Sequence, residues 1–134
     1  MRCRGRLCAC ALAFSLNAVA GEDVYDCDVV EVSKLSDRTG RLQADTHTWT
    51  GKSFRVSRDT GEMTGEGIPI YTGAGIPSFL VLEEGSSEWN FRVVVSYSEG
   101  KRYVQYLLVK EVVPGKLKPF LFMFDDMTMT GLCD

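Results

Sequence analysis

The chain has 134 residues, 15 lysines and arginines against 18 acids, a net charge of −3 and a single histidine. A chain of this length makes one domain with a sizeable core. Its acidic balance argues against nucleic acid and against anionic membrane surfaces as partners.

Residues 1–20 read MRCRGRLCACALAFSLNAVA. Arg2, Arg4 and Arg6 precede an apolar stretch from Leu7 to Leu16, and Ala18-Val19-Ala20 supplies small residues for a signal peptidase. This is the pattern of an export signal cleaved before Gly21, with residues 21–134 as a single mature β domain. The apolar stretch is too short to span about 30 Å of hydrocarbon as a helix, and no later stretch is longer. Cleavage leaves 114 residues, 12 basic and 18 acidic, with net charge −6. The short signal with its Ala-x-Ala end points to the periplasm first and to full secretion second.

Cys3, Cys8 and Cys10 leave with the signal, and Cys27 and Cys133 remain near the two ends. In an exported chain that pair reads as a disulfide closing 105 intervening residues.

The mature chain alternates with period two and carries frequent turn residues; helical spacing is scarce. Residues 25–35 form the first strand, with Cys27, Val29 and Glu31 on one side and Asp28, Val30 and Val32 on the other. Residues 41–50 read as a second, with Leu42, Ala44, Thr46 and Thr48 facing away from Gln43, Asp45, His47 and Trp49. Residues 52–57 and 62–64 flank Asp59-Thr60-Gly61, a hairpin signal. Serine and arginine precede that aspartate, where aspartic proteases carry apolar residues, so the tripeptide is turn chemistry.

A doubled glycine segment follows: Thr64-Gly65-Glu66-Gly67-Ile68-Pro69, then Thr72-Gly73-Ala74-Gly75-Ile76-Pro77. It lacks the strand-to-helix context and the lysine of a phosphate cradle. It reads as a stiffened connection, with Ile68, Ile70, Tyr71 and Ile76 as candidate contacts for a protein partner.

Residues 78–83 are a short apolar run. Residues 88–97 then place Trp89, Phe91, Val93, Val95 and Tyr97 on one face. Glu99-Gly100 reads as a two-residue hairpin turn, so Phe91 is expected to oppose Leu108, Val93 to oppose Tyr106, and Trp89 to oppose Lys110. Pro114-Gly115 ends the partner strand. Residues 117–124 are apolar on both sides, as in a strand covered on both faces or set against a ligand or partner. Asp125-Asp126 turns the chain so that Met127 and Met129 oppose Phe124 and Phe122.

These elements predict an all-β fold, a small antiparallel meander of about eight strands. A closed or nearly closed barrel is favoured over a β-sandwich, because a Cys27–Cys133 bond would join first and last strands at the seam.

The catalytic inventory is poor. One histidine removes two-histidine metal sites and paired imidazole chemistry, and no Gly-x-Ser-x-Gly elbow exists. No metal or cofactor motif is read; the carboxylates beside Cys27 and Cys133 match no calcium loop. The reading is an exported, non-catalytic binding module for a protein partner, of the envelope-accessory or inhibitor kind. The alternative is a carrier of a small apolar ligand lined by Trp89, Phe91, Tyr106, Phe120 and Phe122. An enzyme comes third.

Overall fold

The computed structural model describes residues 23–45, 48–70, 73, 75–99 and 103–134. The expected signal, His47 and Tyr71 lie outside the described residues. The described chain is all-β. Its strands are β1 (Val24–Leu35), β2 (Leu42–Ala44), β3 (Ser53–Ser57), β4 (Met63–Gly65), β5 (Pro77–Glu84), β6 (Phe91–Tyr97), β7 (Gln105–Val109), β8 (Lys118–Phe124) and β9 (Met127–Cys133). Eight run in the order β4-β3-β1-β9-β8-β7-β6-β5, every described pairing antiparallel, and curl through 259° as a half-barrel. β2 pairs with β1 beside that path.

The first and last strands are neighbours, as expected, and Cys27 faces Cys133 directly across them. The two sulfurs are bonded at 2.02 Å, and both residues are fully buried. The free edges of the sheet lie elsewhere. β1 and β9 are joined along a full ladder, whereas β4 and β5 are the ends of the path. The disulfide therefore reinforces a paired seam, and residues 65–70 of the doubled glycine segment run in beside the open one.

Alternation sends Tyr25, Cys27 and Val29 of β1 inward. A β-bulge between Val29 and Glu31 then resets the pattern, so Val32 is buried while Val30 and Glu31 face out. The single alternating face expected for residues 25–35 is thus broken, because a bulge places two residues opposite one. The long strand expected over residues 41–50 shrinks to three exposed residues paired with Ser33–Leu35 at the end of β1. Beyond it residues 48–51 turn, and half-buried Trp49 sets its ring edge-on to Phe124 at 5.3 Å.

The β3–β4 hairpin forms as read from the sequence. Gly61 adopts φ 75° and its N–H donates to the Ser57 carbonyl at 2.8 Å. The turn folds onto the inner face: a Cβ on Gly61 would stand 2.9 Å from a Val93 methyl and 3.1 Å from one of Val81.

The β6–β7 register departs from expectation by one residue. Phe91 pairs with Val109, Val93 with Leu107 and Val95 with Gln105. The connection is longer than a two-residue turn, for β6 ends at Tyr97 and β7 starts only at Gln105. That extra length turns Gln105, Leu107 and Val109 inward and puts Tyr106 and Leu108 on the outer face. Trp89, expected opposite Lys110, sits before the strand in a turn where Ser86 Oγ accepts from the N–H groups of Glu88 and Trp89. It is 65% exposed.

At the last hairpin the expected pairs form: Phe122 opposes Met129 and Phe124 opposes Met127, around a turn with Asp125 at φ 49°. Phe120, Phe122 and Phe124 fill the core, and Phe54 meets Phe120 edge-on at 5.2 Å. Burial of such side chains, at about 1.5–3 kcal/mol each, supplies most of the driving force for folding.

Candidate functional site

The two ends of the barrel carry different chemistry. At one end the doubled glycine segment enters the structure. Gly65 ends β4 at φ 128°, where a Cβ would stand 2.8 Å from the Phe54 backbone. The Gly67 N–H donates to the Ser53 carbonyl at 3.0 Å, holding the chain against β3. Ile68 is then buried in the core, at 5% exposure. The next carbonyl, of Pro69, accepts from Gln105 Nε2 at 2.6 Å, and Gln105 Oε1 accepts from the Tyr97 hydroxyl at 2.8 Å. Gln105 is the one buried polar side chain described, and both ends of its amide are engaged. Ile70 packs half-buried against the core.

The second hexapeptide has the opposite fate. Gly75, at φ 89°, lies tight against Ser98 and Glu99. The Ile76 N–H donates to Ser98 Oγ at 3.0 Å, and the Ser98 N–H donates to the Ile76 carbonyl at 3.2 Å. The backbone is tied down, yet the Ile76 side chain is 78% exposed. Tyr103 and Val104 end the neighbouring hairpin at the same end of the sheet, 44% and 56% exposed. Of the four candidate contacts, then, Ile76 is presented to solvent, Ile70 is half-covered, and Ile68 serves the core.

The five aromatics read as a ligand lining do not share one chamber. Phe91, Phe120 and Phe122 are buried among other core side chains. Tyr106 stands on the outer face, paired with Val94 and Met123, and Trp89 is in its exposed turn. The register shift separates them, and a barrel of this size is filled by its own side chains.

At the opposite end, β1 starts while β3, β5 and β7 finish. The Tyr25 hydroxyl donates to Glu111 Oε2 at 2.9 Å, and Arg58 sits over the Tyr25 ring at 4.7 Å. Arg58 also pairs with Asp23 at 3.4 Å and with Glu111 at 3.7 Å. Burial, then the hydrogen bond to the Glu111 carboxylate, push the Tyr25 hydroxyl far above the ordinary tyrosine range, so it stays a protonated donor. Asp23, Arg58, Asp59, Glu84 and Gly85 line a shallow cleft of about 410 Å³ beside this cluster. Its one cation already answers two carboxylates, which makes the cluster a structural tie between strands.

Near the disulfide, Asp26 pairs with Arg55 at 2.8 Å, Asp134 with Lys116 at 2.8 Å, and Asp28 accepts from Ser53. Sequence reasoning singled out neither Gln105 nor the Tyr25–Glu111–Arg58 cluster. A lone glutamine inside an alternating apolar run was the available signal for the first; Tyr25 and Glu111 stand 86 residues apart, with no local signal.

No family model, no curated protein and no solved structure matches the chain. Its class is defined by architecture alone: a disulfide-clasped, all-β half-barrel with two chemically distinct ends.

Proposed function

We propose that the protein is an exported, non-catalytic binding module, of the envelope-accessory or inhibitor kind, that engages a protein partner through the barrel end carrying Ile76, Tyr103 and Val104. The observation that carries this reading is Ile76. A large apolar side chain stands 78% exposed on a backbone fixed by two hydrogen bonds to Ser98. The same loop is anchored upstream by buried Ile68 and by the Gln105–Pro69 bond. An apolar contact on a pre-ordered backbone lowers the ordering cost of binding. Export is supported by the three-part pattern of residues 1–20 and by the buried disulfide, a bond that persists in oxidising compartments.

The test is capture of partners from periplasmic extract by the native protein and by a variant carrying Ile76→Ser and Val104→Ser. Both positions are exposed, so the melting temperature is expected to hold while capture is lost. Equal capture of the same partners by both proteins would end this reading.

A further inference from the structure

The strand next to the open seam is unlike every other long strand of the sheet. β5 is eight residues long and pairs on one side only, with β6; among the described residues no strand lies along its other side. It is apolar on both faces, and neither face is finished. Outward, Leu80 is 60% and Leu82 50% exposed. Inward, Phe79 and Val81 pack on the core but are only half-buried, whereas the inward residues of β6 and β7 are buried completely or nearly so. Half-burial of the inward face is what the loss of a lateral neighbour produces. The opposite free edge, β4, has three residues, and its inward Met63 is already buried.

The backbone of β5 specifies what fits. The Ile76 carbonyl accepts from the Ser98 N–H, so that pair bonds toward β6. The register from Pro77 to Val81 is regular. In an antiparallel ladder hydrogen-bonding direction alternates, so Ser78 and Leu80 also bond toward β6. The N–H and C=O groups of Phe79 and Val81 therefore point to the open side. Pro77 offers only its carbonyl there. Two such edges are self-complementary when related by a two-fold axis at Leu80. Phe79 then exchanges both bonds with the partner's Val81, Val81 does the same with the partner's Phe79, and the two Leu80 side chains meet in the closer, non-hydrogen-bonded position between them. A β-bulge between Val81 and Glu83 ends the regular stretch, and beyond it the two acids fall toward the Pro77 end of the partner strand, away from the other acid pair. A parallel arrangement would stack acid on acid.

We propose that β5 is a self-association edge, on which two copies of this chain pair antiparallel about Leu80 to form one continuous sheet. The partner is a second copy because the occupant must be an open strand, apolar on both faces, with its charges confined to one end. β5 itself meets all three conditions. Unprotected edges of this kind template strand addition. The pairing meets the binding end proposed above only beside Ile76, since Tyr103 and Val104 lie outside β5.

The test uses the exported, disulfide-bonded protein. Its mass in solution is measured by sedimentation across a concentration series, beside Leu80→Lys. Leu80→Cys is then oxidised beside Thr130→Cys, an exposed control on β9. The wild-type chain is expected to reach twice the monomer mass and Leu80→Lys to remain monomeric with an unchanged melt. Leu80→Cys should lock a covalent dimer much faster than Thr130→Cys, because the Leu80 pair has the cross-strand placement that Cys27 and Cys133 have within the chain. A monomer at every concentration overturns the proposal, as would a dimer that survives Leu80→Lys. Cross-linking at Leu80→Cys no faster than at the control does so too. Val104→Ser alone, a change outside β5, is expected to keep the dimer while weakening capture, which separates the two proposals.

Discussion

The barrel has two seams, and they are closed by different means. Between β1 and β9 the chain uses a full hydrogen-bond ladder and a buried covalent bond. Between β4 and β5 no ladder forms, and side chains do the closing. Gly61 lies against Val81 and Val93 in the middle, with Met63 and Ile68 buried nearby. Gln105 holds the Pro69 carbonyl at one end, and Arg58 reaches Glu111 at the other. A laddered seam resists opening along its whole length. A packed seam depends on a few contacts, each of which can be removed singly.

The largest effect is expected at the covalent seam. Replacing Cys27 and Cys133 together by Ala frees the unfolded chain from a loop of this span, worth about 4–5 kcal/mol in the chain-entropy account. Chemical denaturation is expected to show a loss of that order; an unchanged midpoint would show that the ladder alone suffices. Next comes the plug of the open seam. Ile68→Ala should cost about 2–5 kcal/mol by leaving a cavity. The matching change in the second hexapeptide, Ile76→Ala, should stay within about 0.5 kcal/mol. Similar losses at both sites would erase the distinction between the two copies. Gln105→Leu removes the donor to the Pro69 carbonyl and the acceptor of the Tyr97 hydroxyl bond, at about 1–3 kcal/mol. Its signature is faster amide exchange in residues 66–70 with little change in β9.

The smallest effect is read by pH. Tyr25 stays protonated in the fold well above the ordinary tyrosine range. The unfolded chain releases that proton near pH 10, so the contribution is complete below that pH and lost as pH rises past it. Tyr25→Phe is expected to flatten the alkaline fall in stability. An identical slope in the variant would mean that Tyr25 has no part in it.

Much of the fold was legible locally. The β3–β4 turn follows from Asp59-Thr60-Gly61, and the β8–β9 pairing from Asp125-Asp126 between two apolar runs. The β6–β7 register was not, because the turn assigned to Glu99-Gly100 was too short and a buried glutamine looked like an outward residue. With that register went the supposed lining, since one residue of slip exchanges the faces of Tyr106 and Leu107. The two hexapeptides could not be told apart in sequence at all. Their difference lies in what each meets: Ile68 enters the gap that β4 and β5 leave, while Ile76 leads into β5 with its side chain on the outer face.

What the amino-acid order determined by itself was the strand alphabet: period-two alternation, the turns that punctuate it, and two cysteines placed to close a long loop. These depend on each residue and its near neighbours. Tertiary structure decided the bulge in β1, the inward turn of Gln105, the tie from Tyr25 to Glu111, and the seam left unpaired. Each of these depends on which distant strand arrives alongside, and the chain settles that only when the whole sheet curls and its core is filled.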